Sequence, residues 1–439
     1  MKPLKLSGIL LCVLLLLFSS RSASAFYNNY QYLIGDRAAG MGGAYAALAN
    51  DSTALWYNPS GLANIKHSSL NVSGNSYNYF NKTTAGYEEF ENKSGEYQSA
   101  DLTVKDVSIV ANTVAFGFNI GDKQALAFGI FVPFQTNLTG KIDSEVDGPV
   151  YETKNQYNTY INEKFYTAMV GYGVGVTDWL NIGVSAGLGF WKFVNESHDR
   201  FYVDDGSDKS YMSTYERDDS KEYTLHGGVG MQIKPTVNHT LGLYFQTPLY
   251  RLSGTYSNKT SEWAIGPAFD EGAETTTTRA KDDKWGKIMP ASVSVGYSYE
   301  SPGSWAFSVE AVPLFKSESA RRRIVNYRAG MELYLTDALI LRGGFFTDLS
   351  QEKDVTATSE SDEKIDYFGG CLSITVLSQS ASSDGKSTSK FWTTVGMIHR
   401  EGRGDVQVTR YDKNFNDSTI VKKQKISSTS MFISETVAF

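Results

Sequence analysis

Two cysteines, Cys12 and Cys371, and ten prolines are all that the chain of 439 residues contains of either type. Cys12 lies in the apolar run from Ile9 to Phe18, which follows Lys2 and Lys5 and precedes the small residues Ala23-Ser24-Ala25. That order is the pattern of a secretory signal peptide, so 1–25 is expected to be removed and the mature chain to begin at Phe26. Cys371 then stands alone, which excludes a disulfide framework. The run at 9–18 is too short to span a bilayer as a helix, and no second long apolar segment follows, which excludes a helical membrane protein. Excess positive charge is lacking as well: 41 Lys and Arg face 48 Asp and Glu, and loss of the signal takes the mature chain to about −10, which argues against a nucleic-acid partner.

Catalytic chemistry is equally sparse. The five histidines, His67, His198, His226, His239 and His399, stand apart from any Ser or Asp that would complete a triad or a proteolytic pair. No His or Cys cluster has metal-ligand spacing. The run Asp204-Asp205-Gly206-Ser207-Asp208 lacks a terminal bidentate Glu at the right distance and reads as a solvated loop. The chain is therefore expected to be no enzyme and to carry no metal and no cofactor.

What is abundant is aromatic and small: 27 Tyr, 24 Phe and 40 Gly, with a mean hydropathy of −0.30. Such an average suits a barrel whose lipid face is offset by its lumen and loops. Period-two segments appear at 68–78, 107–120, 124–133, 165–176, 180–193, 222–233 and 239–250, then at 290–299, 304–314, 324–335, 338–348, 365–377, 390–400 and 427–439. The final one, with Met431, Ile433, Val437 and Phe439 on one parity, reads as the closing strand of an outer-membrane barrel. Connections such as 121–123, 177–179, 301–303 and 336–337 are short, whereas 134–164, 194–221 and 251–289 are long and polar, as expected of periplasmic turns and outer loops. The Ser-rich stretch 378–389 is longer than that rule predicts. The expectation is an all-β fold: a fourteen-stranded antiparallel transmembrane β-barrel over 68–439, multi-pass in the outer membrane of a Gram-negative cell and monomeric.

The two faces of each strand can be separated. Leu180, Ile182, Val184, Ala186, Leu188 and Phe190 are expected to face lipid, with Asn181, Gly183, Ser185, Gly187 and Gly189 opposite. A charge at the lipid midplane costs roughly 2 to 4 kcal/mol for Arg or Lys. Glu310, Arg328, Glu332 and Arg342 are therefore placed inward as one lumenal charge network, either bracing the wall or meeting substrate. Arg321, Arg322 and Arg323 fall at the outer rim, where they suit lipopolysaccharide phosphates or simply solvent.

Residues 26–67 are too many for a chain that could pair at once. They contain a Gly/Ala-rich stretch through Gly40, Gly42, Gly43 and Ala44, then Asp51, positioned to cap a turn through Leu55 and Trp56, and Asn58-Pro59, positioned to end it. This segment reads as an N-terminal hatch, or plug, with short helices. Its pattern resembles the hatch of the FadL-type outer-membrane transport proteins, the long-chain fatty-acid and aromatic-hydrocarbon channels; Ser60 stands where the family has Ala. The resemblance implies a lumen closed by the hatch, a binding cavity within the barrel, and a kink in the third strand that opens the wall sideways. Gly129 and Pro133 are the candidates for that lateral opening, although Pro133 could equally end its strand. The function implied is passive diffusion of a small hydrophobic substrate through the outer membrane; the alternative is a barrel that docks or shuttles secreted proteins, and a nonspecific porin is the weaker third. A cavity lined by Phe, Leu and Met would favour transport, and a polar, occluded lumen docking.

Overall fold

Alternation of apolar and small or polar residues sends successive side chains to opposite faces, and the structure, a computed structural model, builds one closed sheet from it. It describes residues 32–92, 94–147, 152–204, 206–267, 272–282, 286–316, 322–359, 362–381, 388–412 and 417–439. The expected signal peptide, Phe26 and Arg321 lie outside the described residues.

The strands are β1 (Ser69–Glu91), β2 (Tyr97–Gly121), β3 (Gln124–Asp147), β4 (Glu152–Gly175), β5 (Leu180–Asp204), β6 (Lys209–Ile233), β7 (His239–Gln246), β8 (Leu249–Ile265) and β9 (Gly272–Asp282). They continue with β10 (Gly286–Met289), β11 (Ser292–Ser301), β12 (Trp305–Leu314), β13 (Ile324–Thr336), β14 (Leu339–Asp348), β15 (Glu363–Ala381), β16 (Thr388–Tyr411) and β17 (Asp417–Ala438). β17 pairs with β1 from Ser69↔Ala438 to Lys82↔Ile426, which closes the cylinder.

Two expectations need correction. Among the described residues the sheet holds seventeen strands where fourteen were expected. The run expected at 239–250 is split by Thr247-Pro248 into β7 and β8, and β11 follows β9 and β10 across Pro290-Ala291. Pro cannot donate to a ladder, and at Pro248 and Pro290 the strand is interrupted, although Pro133 and Pro313 stand within β3 and β12. The sheet is also not purely antiparallel, because Glu88–Phe90 of β1 run parallel to Thr409–Tyr411 of β16.

Alternation is read as expected within the wall. Ile182, Val184 and Leu188 face outward and are exposed, while Asn181 is buried on the inner side. Tyr327, Met331 and Leu335 are likewise exposed, and Asn326 and Glu332 are buried. Exposure of this kind around a closed cylinder forms an apolar outer belt, the surface a bilayer covers. No helix among the described residues is long and apolar enough to cross a membrane.

Wall height varies. β1 to β6 and β15 to β17 run for 19 to 25 residues, against 10 to 13 for β11 to β14. About 9–11 residues suffice to cross a bilayer, so the tall strands project well beyond it. Inside this projection Phe80, Leu102, Val104, Leu138, Ile142, Ile161, Ile365, Tyr367 and Ile426 form a buried apolar core. The short strands leave the opposite side low.

Candidate functional site

Residues 32–67 fold as a helical turn at Asp36–Gly40, another at Ala54–Tyr57 and a 3-10 helix at Pro59–Asn64. Inward glycines of the wall receive their backbone: a Cβ on Gly183 would meet Pro59, one on Gly242 Ala46, one on Gly330 Met41 and one on Gly344 Gly42, each within 2.4 Å. Glycine is therefore needed on the lumen side for close approach, not for sheet propensity. Gly42 has φ +65, and a Cβ there would stand 2.8 Å from both the amide nitrogen and the carbonyl oxygen of Phe345. Gly42→Ala should cost about 1–3 kcal/mol, seen as a lower temperature for loss of the compact band in heat-modifiability gels. Full retention of that temperature would remove the packing argument.

Polar contacts pin the segment to several strands. Asp51 accepts from the Thr53 amide (2.8 Å) and hydroxyl (2.6 Å) and from the Tyr45 hydroxyl (2.7 Å), so it opens the turn before Ala54. Asn58 is fully buried; its Nδ2 donates to Ala46 O (2.8 Å) and Met231 O (3.2 Å), and its Oδ1 accepts from the Ser60 amide and hydroxyl. Pro59, with no N–H to lose, begins the 3-10 helix. Burial pushes the Asp36 carboxyl above its usual range, and the Arg342 charge restrains the rise.

The four expected wall charges form two pairs rather than one network. Arg328 pairs with Glu310 at 3.1 Å, and Arg342 with Glu332. Both pairs reach the N-terminal segment: Arg37 clasps Glu332 at 2.9 Å, and the amides of Tyr45 and Ala46 donate to Glu310 Oε2 at 3.0 and 2.9 Å. Sequence reasoning missed Arg37. It missed Gln232 as well, fully buried and donating to the carbonyls of Ala46, Ala47 and Ala49. An unpaired polar residue between the lumen-facing Gly230 and Lys234 was the available signal.

The ladder between β2 and β3 stops at Thr113↔Phe131 and resumes at Lys105↔Thr139. Pro133 lies within the interruption and does not end its strand. Gly129 does not belong to it, because Gly129 pairs with Ala115; its missing Cβ makes room for the Phe131 ring. Tyr32 occupies the interruption, buried against Val110 and Val132, with its amide donating to Pro133 O (2.9 Å) and its hydroxyl to Gln135 O (3.1 Å). Arg322 is tied down at the rim, donating to Ser350 O and Gln351 O, while Arg323 is exposed.

Beside the N-terminal segment on the low side is a cavity of about 70 Å³, bordered by Leu33, Trp56 and Tyr57 of that segment and by Met289, Leu314 and Phe346 of the wall, with Gln246, Asn326, Arg328 and Asp348 among its polar groups. Trp56, Met289 and Pro290 also border a smaller cleft with Phe165 and Leu249. Phe165, Phe134 and Trp191 are packed with ring centroids 5.0 to 5.7 Å apart, and Phe134 adjoins Pro133. Packed aromatic and aliphatic side chains, with His226, Gln246 and Thr247 beside them, therefore lie between the cavity and the interrupted β2–β3 wall.

This architecture defines a class: a closed β-barrel with an apolar belt and an N-terminal segment packed onto its lumen wall. Its fold is that of the FadL-type channels. A Pseudomonas aeruginosa FadL homologue superposes with a TM-score of 0.62 at 12% identity, covering 94% of this chain and 99% of that one. The P. putida toluene transporter TodX gives 0.57 at 13% identity, covering 92% and 97%, and the Ralstonia pickettii toluene transporter TbuX gives 0.51 at 14%, covering 92% and 98%. No family model and no curated protein sequence matches the chain.

Proposed function

We propose that this protein is an outer-membrane channel for passive uptake of small hydrophobic molecules such as long-chain fatty acids or aromatic hydrocarbons. The observation that carries the reading is the packing of aromatic and aliphatic side chains from the Trp56 cavity through Phe165 and Phe134 to the interrupted wall at Pro133. Burying apolar surface is worth about 25 cal/mol per Å², so a track of aromatic and aliphatic side chains carries a molecule that a water-filled pore would not. In this reading β7 with β8, and β9 to β11, each cross the wall once, giving fourteen passes; residues 26–67 are the hatch; and the chain works as a monomer. The cavity lining is mixed, Leu33, Trp56, Met289, Leu314 and Phe346 standing beside Gln246, Ser294, Asn326, Arg328 and Asp348, so the preference for transport over protein docking rests on the aromatic cluster beside Pro133.

A cavity of about 70 Å³ is smaller than the 300–1,000 Å³ of typical ligand sites, so this is the closed state. Opening requires hatch side chains to move, and Tyr32 is the residue that fills the lateral exit. The test is uptake of radiolabelled oleate and of toluene into proteoliposomes, with mass spectrometry of apolar molecules copurified from detergent. Uptake above empty liposomes is expected; no uptake and no copurified molecule would overturn the reading. Tyr32→Ala should raise the hydrocarbon rate several-fold without raising conductance to ions. An unchanged rate would dismiss Tyr32 as the stopper.

A further inference from the structure

The outward face of β4 to β6 carries an ordered sequence of rows. On β5, Leu180, Ile182, Val184, Ala186, Leu188 and Phe190 are the outward residues; at about 3.3 Å per residue and about 40° of tilt this stretch rises about 25 Å, the height of a barrel's apolar band. Its last row is aromatic across three strands, Tyr166↔Phe190↔Tyr223, with the Phe190 and Tyr223 rings 5.4 Å apart. Aromatic rows of this kind sit at the membrane–water interface.

The next outward row is Lys164↔Lys192↔Lys221, in direct register on the same three strands. Among the described residues none of these lysines forms an ion pair. Farther out, Arg217 pairs with Glu196 and Asp219, so those charges largely satisfy one another. Like charges directly opposite in a sheet destabilise it, and three adjacent strands would scarcely place them so for solubility. An anion held between the ammonium groups reverses the sign of that cost.

We propose that Lys164, Lys192 and Lys221 form a binding site for the phosphates of an anionic outer-leaflet lipid. The row lies where such headgroups meet the apolar band, its charge is complementary to phosphate, and the aromatic row beneath it meets the start of the acyl chains. This assignment rests on the membrane reading of the barrel, not on which molecule is carried. It also differs from the rim arginines, since Arg322 is already engaged by Ser350, Gln351 and Asp366.

The experiment uses the full mature chain in a neutral detergent, with diphosphorylated lipid A as the probe and phosphatidylcholine and inorganic phosphate as comparisons. Lipid A should bind and raise the unfolding temperature, with a salt-sensitive affinity. The triple variant Lys164→Gln/Lys192→Gln/Lys221→Gln should bind at least tenfold more weakly, yet without lipid be at least as heat-resistant as the wild type, because the repulsion is gone. The triple Lys→Arg variant should restore binding. Equal lipid A binding by the wild type and the Gln variant would overturn the proposal, as would inorganic phosphate stabilising the wild type as well as lipid A does. Hydrophobic uptake should be unchanged in the Gln variant, which separates this site from the transport reading.

Discussion

Glu332→Ala should lower barrel stability by about 3 to 5 kcal/mol, the largest effect expected of any single substitution here. Glu332 is wholly buried and receives two guanidinium groups, Arg342 from the neighbouring strand and Arg37 from the hatch. Its removal leaves the buried Arg342 without its ion-pair partner and Arg37 with only the longer contact to Glu300 at 3.8 Å. Arg342→Ala should cost less, because Arg37 still compensates Glu332. The double variant Glu332→Ala/Arg342→Ala should then be less damaging than the sum of the singles, since one of the two stranded charges is removed with its partner. Heat-modifiability of the three variants measures this directly, and strictly additive losses would refute the coupling. The hatch adds a second readout. If Arg37 anchors it through Glu332, then Glu332→Ala should also raise ion leakage, while Glu310→Ala, which leaves the Tyr45 and Ala46 amides without their acceptor, should do so through a different contact.

The membrane-level half of this fold was legible in the sequence, and its outer half was not. Where lipid covers one face, alternation is enforced by hydropathy, so 180–193 and 324–335 are readable along with the direction of each side chain. Beyond the bilayer both faces of a strand meet water or an interior that tolerates polar groups, and the period-two contrast fades. Residues 134–147, 194–204 and 209–221, expected as loops, are therefore strand in β3, β5 and β6. The same blindness affected the outer apolar core, since Leu138, Ile142 and Ile161 are isolated among polar neighbours in sequence and converge only once β3 and β4 pair. The Gly, Asn and Pro signals of the N-terminal segment are local and so readable in sequence. The partners of its residues are not, because Arg37 with Glu332 and Asn58 with the Met231 carbonyl join segments far apart along the chain. Cost alone argues for turning the wall charges inward, but their contacts with Arg37 and with the Tyr45 and Ala46 amides lie outside a strand-by-strand reading.

Deleting residues 26–60 should turn the barrel into an open pore, with single-channel conductance in planar bilayers rising from near zero to that of a porin. The argument is one of space. An eight-stranded barrel is filled by its own side chains, whereas sixteen to eighteen strands leave an aqueous channel; on the proposed count of fourteen passes this barrel stands close to the second case. Here the inward positions are unusually bare, with Gly183, Gly230, Gly242, Gly330 and Gly344 abutting hatch atoms instead of projecting side chains. Without the segment nothing on these strands replaces it, and Glu310, Glu332, Arg328 and Arg342 would line a wet lumen. The outer apolar core of Phe80, Leu102 and Ile365 belongs to the tall side of the wall, so the low side above β11 to β14 remains as the entrance. The variant must first show the compact band of a folded barrel before heating. Conductance no higher than that of the intact chain, in a barrel that passes this check, would show that residues 26–60 do not close the lumen.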